Sequence, residues 1–295
     1  MRSQLGLVCI TQSTEVRYRT VTRKRLLALS PENQSKLLDE IFRDNIATLD
    51  AALRYCEREG IFLYRILSSI FPFADEDVGR EALQPLAGAL ASAGQRAIAS
   101  NIRLVMHPDQ FVVLSSDSTD VVNNSIKILQ MHADIMDLLQ QPRSPRALLE
   151  IHGGKAGRAD ALVARIATLP DAIRLRIGLE NDEYAYSAAA IHDICMRSGV
   201  PMVFDAHHHI VHEDLASYDD PSVDDMFRKA RQTWAEPAHQ LVHISNGRTG
   251  FNDRQHADLI DTMPACYSHA PWIEIEAKSK EEAIDGLRPW LTSLQ

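Results

Sequence analysis

The sequence predicts a single (β/α)8 TIM barrel covering residues 1–295. Three observations predict it: eight short apolar runs, segments of helical periodicity between them, and an alternation of the two with no linker or change of composition. Barrels of this kind reach about 250 residues or more as one domain, so a second domain is not required.

The strand candidates come in order. The first four are 5–10 (LGLVCI), 61–67 (IFLYRIL), 102–107 (IRLVMH) and 147–152 (ALLEIH), and the last four are 176–181 (RIGLEN), 201–205 (PMVFD), 240–245 (QLVHIS) and 272–277 (WIEIEA). Each is rich in aliphatic or β-branched residues. The first helix, 35–59, carries Leu37, Leu38, Ile41, Ile46, Leu49, Ala52 and Leu53 at three- and four-residue steps. Further helices are expected near 78–94, 121–140, 156–168, 187–198, 222–234, 255–262 and 279–294. Pro31 and Ser187 are start signals, and Gly60 and Gly199 stop the chain before the second and sixth strands.

Composition narrows the function. A net charge of −9 argues against a protein that coats nucleic acid without specificity, because phosphate binding rests on clustered Lys and Arg. One local cluster exists, EVRYRTVTRKR, where Arg17, Arg19, Arg23, Lys24 and Arg25 stand against Glu15. Cys9, Cys56, Cys195 and Cys266 form no CxxC pair and read as reduced core residues. No apolar run is long enough for a bilayer and the N-terminus does not read as a signal peptide, so a cytoplasmic protein with no membrane contact is expected.

The chemistry lies at the strand ends. Six consecutive strands end in His, Asp or Glu: His107 on the third, Glu150 and His152 on the fourth, Glu180, Asp205 and His243 on the next three, Glu274 and Glu276 on the eighth. In a barrel these ends meet on one face. So many ionisable groups repel and desolvate one another unless cations sit among them. The two-residue period makes His152 and Glu276 the ligands of their strands and sets Glu150 and Glu274 behind them. After the sixth strand, DAHHH places His207, His208 and His209 on a turning loop, and spacing does not decide which imidazole reaches an ion. His256 is expected to open the helix after the seventh strand as an extra ligand, whereas His132, His192, His212, His239 and His269 read as surface or structural. Imidazole and carboxylate without thiolate suit manganese, zinc or iron. The number of ligands implies two or three divalent ions, an arrangement suited to phosphodiester hydrolysis.

At these residues the chain resembles the ultraviolet damage endonucleases, TIM barrels related in fold to endonuclease IV. The blocks LGLVCIT, EVRYRTVTR, RILSSIFP, HPDQF, IHGGKAGR, LENDE, VFDAHHH, HISNGRTG, RQHADLI and IEAKSKE follow in the family's order. The resemblance implies a manganese-containing cluster on His107, His152, Glu180, Asp205, His208, His243, His256 and Glu276, and it alone selects His208. Glu180, His243 and Glu276 are then the residues expected to matter most for catalysis. The implied reaction is hydrolysis immediately 5′ to a cyclobutane pyrimidine dimer or 6-4 photoproduct in double-stranded DNA, by a monomer without a nucleotide cofactor. Gln110 and Phe111 match the family's lesion probe, and Arg17, Arg19, Arg23, Lys24, Arg25, Lys155, Arg158 and Arg248 become phosphate contacts.

The chain also departs from the family. Where relatives often have a histidine after the serine-rich block, Asp75 or Glu76 stands here, and Glu76 is retained as a ligand candidate. A carboxylatable lysine two residues before the strand-seven histidine is Leu241, so a bridging carboxylated lysine is not expected, and a strand-one tyrosine of some members is Leu7. The rival reading is a sugar isomerase or epimerase of the xylose-isomerase-like barrel class, which favours carboxylates and a base set against an open-chain sugar. An amidohydrolase needs an HxH at the end of the first strand, and LGLVCIT has none. A noncatalytic binding barrel gives no reason for so many polar strand ends.

Overall fold

Parallel strands joined by helices bury both faces, and closing the sheet removes its edges. The computed structural model, which describes residues 3–108 and 112–293, has this closure. β1 (Gln4–Val8), β2 (Leu63–Ile66), β3 (Arg103–Met106), β4 (Leu149–His152), β5 (Ile177–Glu180), β6 (Met202–Asp205), β7 (Leu241–Ile244) and β8 (Trp272–Ile275) pair in parallel in that order, and β8 returns to β1. Each overlaps the run expected from sequence.

Alternate side chains divide between two environments. Leu5, Tyr64, Leu104, Leu149, Leu179 and Val242 join the helices in one apolar cluster, which is the main core. Leu63, Val105, Leu148, Val203, Leu241 and Trp272 form a separate apolar layer inside the bore. Leu241 is fully buried there, so no ionisable group rises from that position toward His243. Register stacks the polar residues above it: Glu150 lies opposite Gly178, His152 opposite Glu180, and Asp205, His243 and Glu274 lie level across β6, β7 and β8.

Helix ends follow local chemistry. The Pro31–Glu59 helix is capped by Ser30 and ends on Gly60 at φ 64°, and the Ala188–Ser198 helix is capped by Ser187 and ends on Gly199 at φ 74°. The segment expected as one helix near 78–94 is instead Asp77–Leu83, a 3-10 turn at Gln84–Leu86, and Ala87–Ala99. Pro85, which lacks an N–H, sits in that turn.

Two other expectations are corrected. Residues 255–262 are not helical, because side chains there hold the backbone in turns. Asn246 Oδ1 accepts from the N–H groups of Asp261 (2.8 Å) and Thr262 (3.0 Å), and Asp253 accepts from those of Thr249 and Gln255. The DAHHH segment, expected as a loop, starts the Ala206–Glu213 helix. Among the described residues no helix is long and apolar enough to cross a membrane.

Candidate metal centre

Glu180, at the end of β5, occupies the centre of the barrel mouth with its side chain 1% exposed. Its Oε2 lies 2.9 Å from His107 Nε2 and 3.6 Å from His152 Nε2. Its Oε1 lies 3.0 Å from His243 Nδ1 and 3.3 Å from His208 Nδ1. The two oxygens of one carboxylate therefore face two separate pairs of imidazoles, the arrangement of a bridging ligand. A cavity of about 680 Å³ opens over them, lined also by Arg65, Glu183, His256 and Glu276.

Asp205 ends β6 and caps the following helix: its Oδ1 accepts from His208 N–H at 2.8 Å, while its buried Oδ2 has no hydrogen-bond partner among the described residues. Helical spacing then sorts the histidine triplet. His207 Nε2 donates to Asp253 O (2.9 Å), and His209 Nε2 lies 3.0 Å from Ser222 Oγ, so both rings are engaged away from Glu180. His208 alone of the three faces Glu180, with Nδ1 at 3.0 Å from Asn181 O and Nε2 at 3.6 Å from Glu183 Oε1. His256 reaches the cavity from an irregular loop rather than a helix start. Its Nδ1 donates to Glu276 O at 2.7 Å, and its Nε2 lies 4.0 Å from Glu276 Oε2.

A second polar layer lies beneath. His243 Nε2 is 2.8 Å from Glu150 Oε2 and 3.0 Å from Glu274 Oε2, all three residues being fully buried. Both contacts are close but are not aligned as hydrogen bonds, so among the described residues His243 Nε2 and both Glu150 oxygens have no hydrogen-bond partner. Arg65 Nη1 reaches Glu274 at 2.9 Å and Glu276 at 2.5 Å.

Burial opposes every charge here, and the neighbours decide the outcome. Burial disfavours ionised Glu180, yet the imidazoles of His243 and His152 hold its carboxyl well below the usual range. Burial likewise disfavours imidazolium at His243 and His208, but surrounding carboxylates raise both well above the usual histidine value. Glu150 is raised by burial and by Glu274, and His152 is lowered by burial.

The donors fit divalent ions. Three groups, His107–His152–Glu180, Glu180–Asp205–His208 and Asp205–His243–Glu276, each bring ligand atoms within 4.8 Å of one another. Asp205, in two of them, and His152, in the third, each have a buried atom, Oδ2 and Nδ1, with no hydrogen-bond partner among the described residues. Imidazole and carboxylate without thiolate match manganese, zinc or iron.

Other expected residues lie elsewhere. Glu76 is not drawn into any of these groups among the described residues, because its carboxylate pairs with Arg23. Asp75 pairs with Lys127 at 3.0 Å. Arg19 pairs with Asp44, and Lys155 and Arg158 share Asp117, so with Arg23 four of the expected phosphate contacts already face a carboxylate. Arg17 and Arg248 make no ion pair among the described residues; Gln110 and Phe111 lie outside those residues.

Sequence reasoning missed Arg65, Glu183 and the pair Tyr184–Arg254. Arg65 could have been found from its period-two position in IFLYRIL, which turns it into the bore with Leu63. The Arg254 guanidinium stacks 4.3 Å above the Tyr184 ring, and both line a cavity of about 570 Å³ that shares Pro108, His152 and Glu183 with the mouth. Cys9, expected in the core, lines the mouth beside Arg65.

Comparison with known proteins shows the family. A family model described as UV-endonuclease UvdE matches residues 3–294. The chain is 52% identical over 289 residues to a UV DNA damage endonuclease of Nostoc sp., covering 97% of this chain and 90% of that one. It is 50% identical to a UV DNA damage endonuclease of Deinococcus radiodurans, covering 97% and 94%. The crystal structure of SacUVDE superposes with a TM-score of 0.81 at 24% identity, over 98% of this chain and 99% of that one, which shows a shared fold. By its sequence and along nearly its whole length, this chain belongs to the UV-endonuclease UvdE family.

Proposed function

We propose that this chain is a UV damage endonuclease that hydrolyses the DNA phosphodiester immediately 5′ to cyclobutane pyrimidine dimers and 6-4 photoproducts, opening an excision-type repair. One observation carries the reading: in a chain of this family, His107, His152, Glu180, Asp205, His208, His243 and Glu276 converge with unpartnered ligand atoms, and His256 lines the same mouth. Two or three divalent ions, manganese foremost, would supply Lewis acidity at the scissile phosphate and at the attacking water.

The residues divide the remaining work. Glu180 ties both imidazole pairs together, so its loss disperses the cluster. Glu150 and Glu274 flank His243 Nε2 with negative charge, while Nδ1 bonds Glu180 and faces Glu276. In the reaction a water oxygen bonds to phosphorus and the P–O3′ bond breaks, leaving a 3′-hydroxyl and a 5′-phosphate. Gln110 and Phe111, which follow Pro108 in the chain, fill the gap left as damaged bases leave the stack, an event that a photoproduct makes cheaper. Arg17 and Arg248 contact phosphates first, and Arg19, Arg23, Lys155 and Arg158 do so by exchanging carboxylates. The enzyme acts as a cytoplasmic monomer and uses no nucleotide cofactor.

The test is a duplex carrying one defined pyrimidine dimer beside its undamaged twin, incubated with manganese-loaded protein and mapped for nicks. A cut immediately 5′ to the dimer alone is expected. Equal cutting of both duplexes, or none, overturns the proposal. Phe111→Ala is expected to weaken lesion preference while cutting persists, and unchanged preference removes the probe role.

A further inference from the structure

The ion ligands occupy only part of the mouth. β3 to β8 each contribute a candidate His, Asp or Glu ligand at or just beyond the strand end, whereas β1 and β2 contribute none. On that open side the cavity wall is Cys9, Arg65, Leu67 and Ser68, and Arg65 is the one Lys or Arg among the described residues that line the cavity. We propose that Arg65 is a substrate-binding residue, its guanidinium holding a non-bridging oxygen of the scissile phosphate on the side the ions do not reach. This rests on the phosphodiester reading above.

The geometry prepares Arg65 for that contact. Its side chain is 11% exposed, so it faces the cavity from a largely desolvated position, where a charge-assisted bond to phosphate is strong. Both hydrogen bonds to carboxylates come from one nitrogen, Nη1, so neither commits the Nη2 edge of the fork. Glu274 below and Glu276 beside it anchor the group, and Glu276 uses Oε1 for Arg65 while Oε2 turns toward His256. One carboxylate thus connects the guanidinium to the ion side of the mouth. Arginine suits the role because it stays charged and presents planar donors that match phosphate, which lysine does not reproduce.

The cavity also needs the cation. Glu180, Glu183 and Glu276 line it, and a phosphodiester entering among three carboxylates meets repulsion wherever ions do not cover them. Arg65 covers the remaining sector.

The experiment compares wild type, Arg65→Lys and the double variant Arg65→Gln/Glu274→Gln, which removes the cation together with one anchoring carboxylate and so leaves less unpaired charge buried. For each, bound manganese is counted by elemental analysis, folding is followed by circular dichroism melting, and affinity for inorganic phosphate is measured by calorimetry on the loaded protein. Arg65→Lys is expected to keep its ions and bind phosphate roughly 10-fold more weakly, and the double variant roughly 100-fold, the range of a charged hydrogen bond. Unchanged phosphate affinity in folded variants overturns the proposal, as does a loss that merely tracks lost ions. If Arg65→Lys does not fold, the double variant decides. Wild-type protein that binds phosphate through Arg65 yet never nicks the dimer duplex counts against the endonuclease reading and for the Arg65 assignment.

Discussion

Two arginines point into the bore from neighbouring strands, Arg103 from β3 near the floor and Arg65 from β2 near the mouth, and they live in opposite surroundings. Arg103 donates to three backbone carbonyls, those of Arg146 (2.9 Å), Pro145 (2.8 Å) and His239 (2.9 Å), and stacks against Trp234 and Trp272. No carboxylate touches it among the described residues, and burial lowers its pKa to about 9. Arg65 lies against two carboxylates, which overcome burial and raise its pKa well above the usual value. The floor satisfies its charge with neutral dipoles and closes the barrel. The mouth instead gathers carboxylates, imidazoles and a guanidinium around a cavity, so the bore separates an apolar, dipole-bonded floor from the candidate site.

That separation can be broken from either end. The largest effect is expected at the mouth: Glu180→Gln should slow nicking by about 10³-fold, roughly 4 kcal/mol of barrier, with little change in melting temperature. An enzyme that keeps its rate, or loses its fold instead, erases the distinction. At the floor, Arg103→Met leaves three carbonyls without donors and should cost about 3 kcal/mol in urea unfolding. Rates per folded molecule should match wild type, and a rate defect would tie floor to mouth.

Between the two ends lies the layer of Glu150, His243 and Glu274. Glu150→Gln should weaken manganese binding about 10- to 100-fold by equilibrium dialysis, as changes behind metal ligands do. Full affinity in this variant would assign the layer to the floor. The smallest effect is expected at Glu281, whose carboxylate accepts from Gln12 N–H and Ser13 N–H at 2.7 Å each and secures the loop after β1. Burial opposes its ionisation, but these N–H groups hold it below the ordinary glutamate value of about 4.3. A depressed carboxyl contributes stability above that value and loses it as pH falls through the folded-state pKa. Glu281→Gln should therefore cost about 1 kcal/mol at neutral pH, with the difference from wild type shrinking in acid denaturation.

The barrel was legible because each strand is a short apolar run, and the candidate cluster because His107, Glu180, Asp205 and His243 stand at the ends of such runs. What escaped was set by contacts distant in sequence or by side chains bonding to backbone. Arg65 reads as one more residue of IFLYRIL until Glu274 and Glu276 arrive 209 and 211 positions later. The loop carrying His256 has the composition of a helix, but Asn246 Oδ1 captures the Asp261 and Thr262 N–H groups that such a helix would need. Glu76 matched a family position and went instead to Arg23, a partner that no spacing rule relates to it.

Asp205 gives the site a mechanical side. One of its oxygens pins the first turn of the Ala206–Glu213 helix while the other belongs with the candidate ion ligands, so an ion held by that carboxylate would also pull on the helix that carries His208. Loading the mouth should therefore stiffen a segment well outside it. Slower amide exchange at His208, His209 and Ile210 would be the trace of that tension, reporting occupancy without any DNA present.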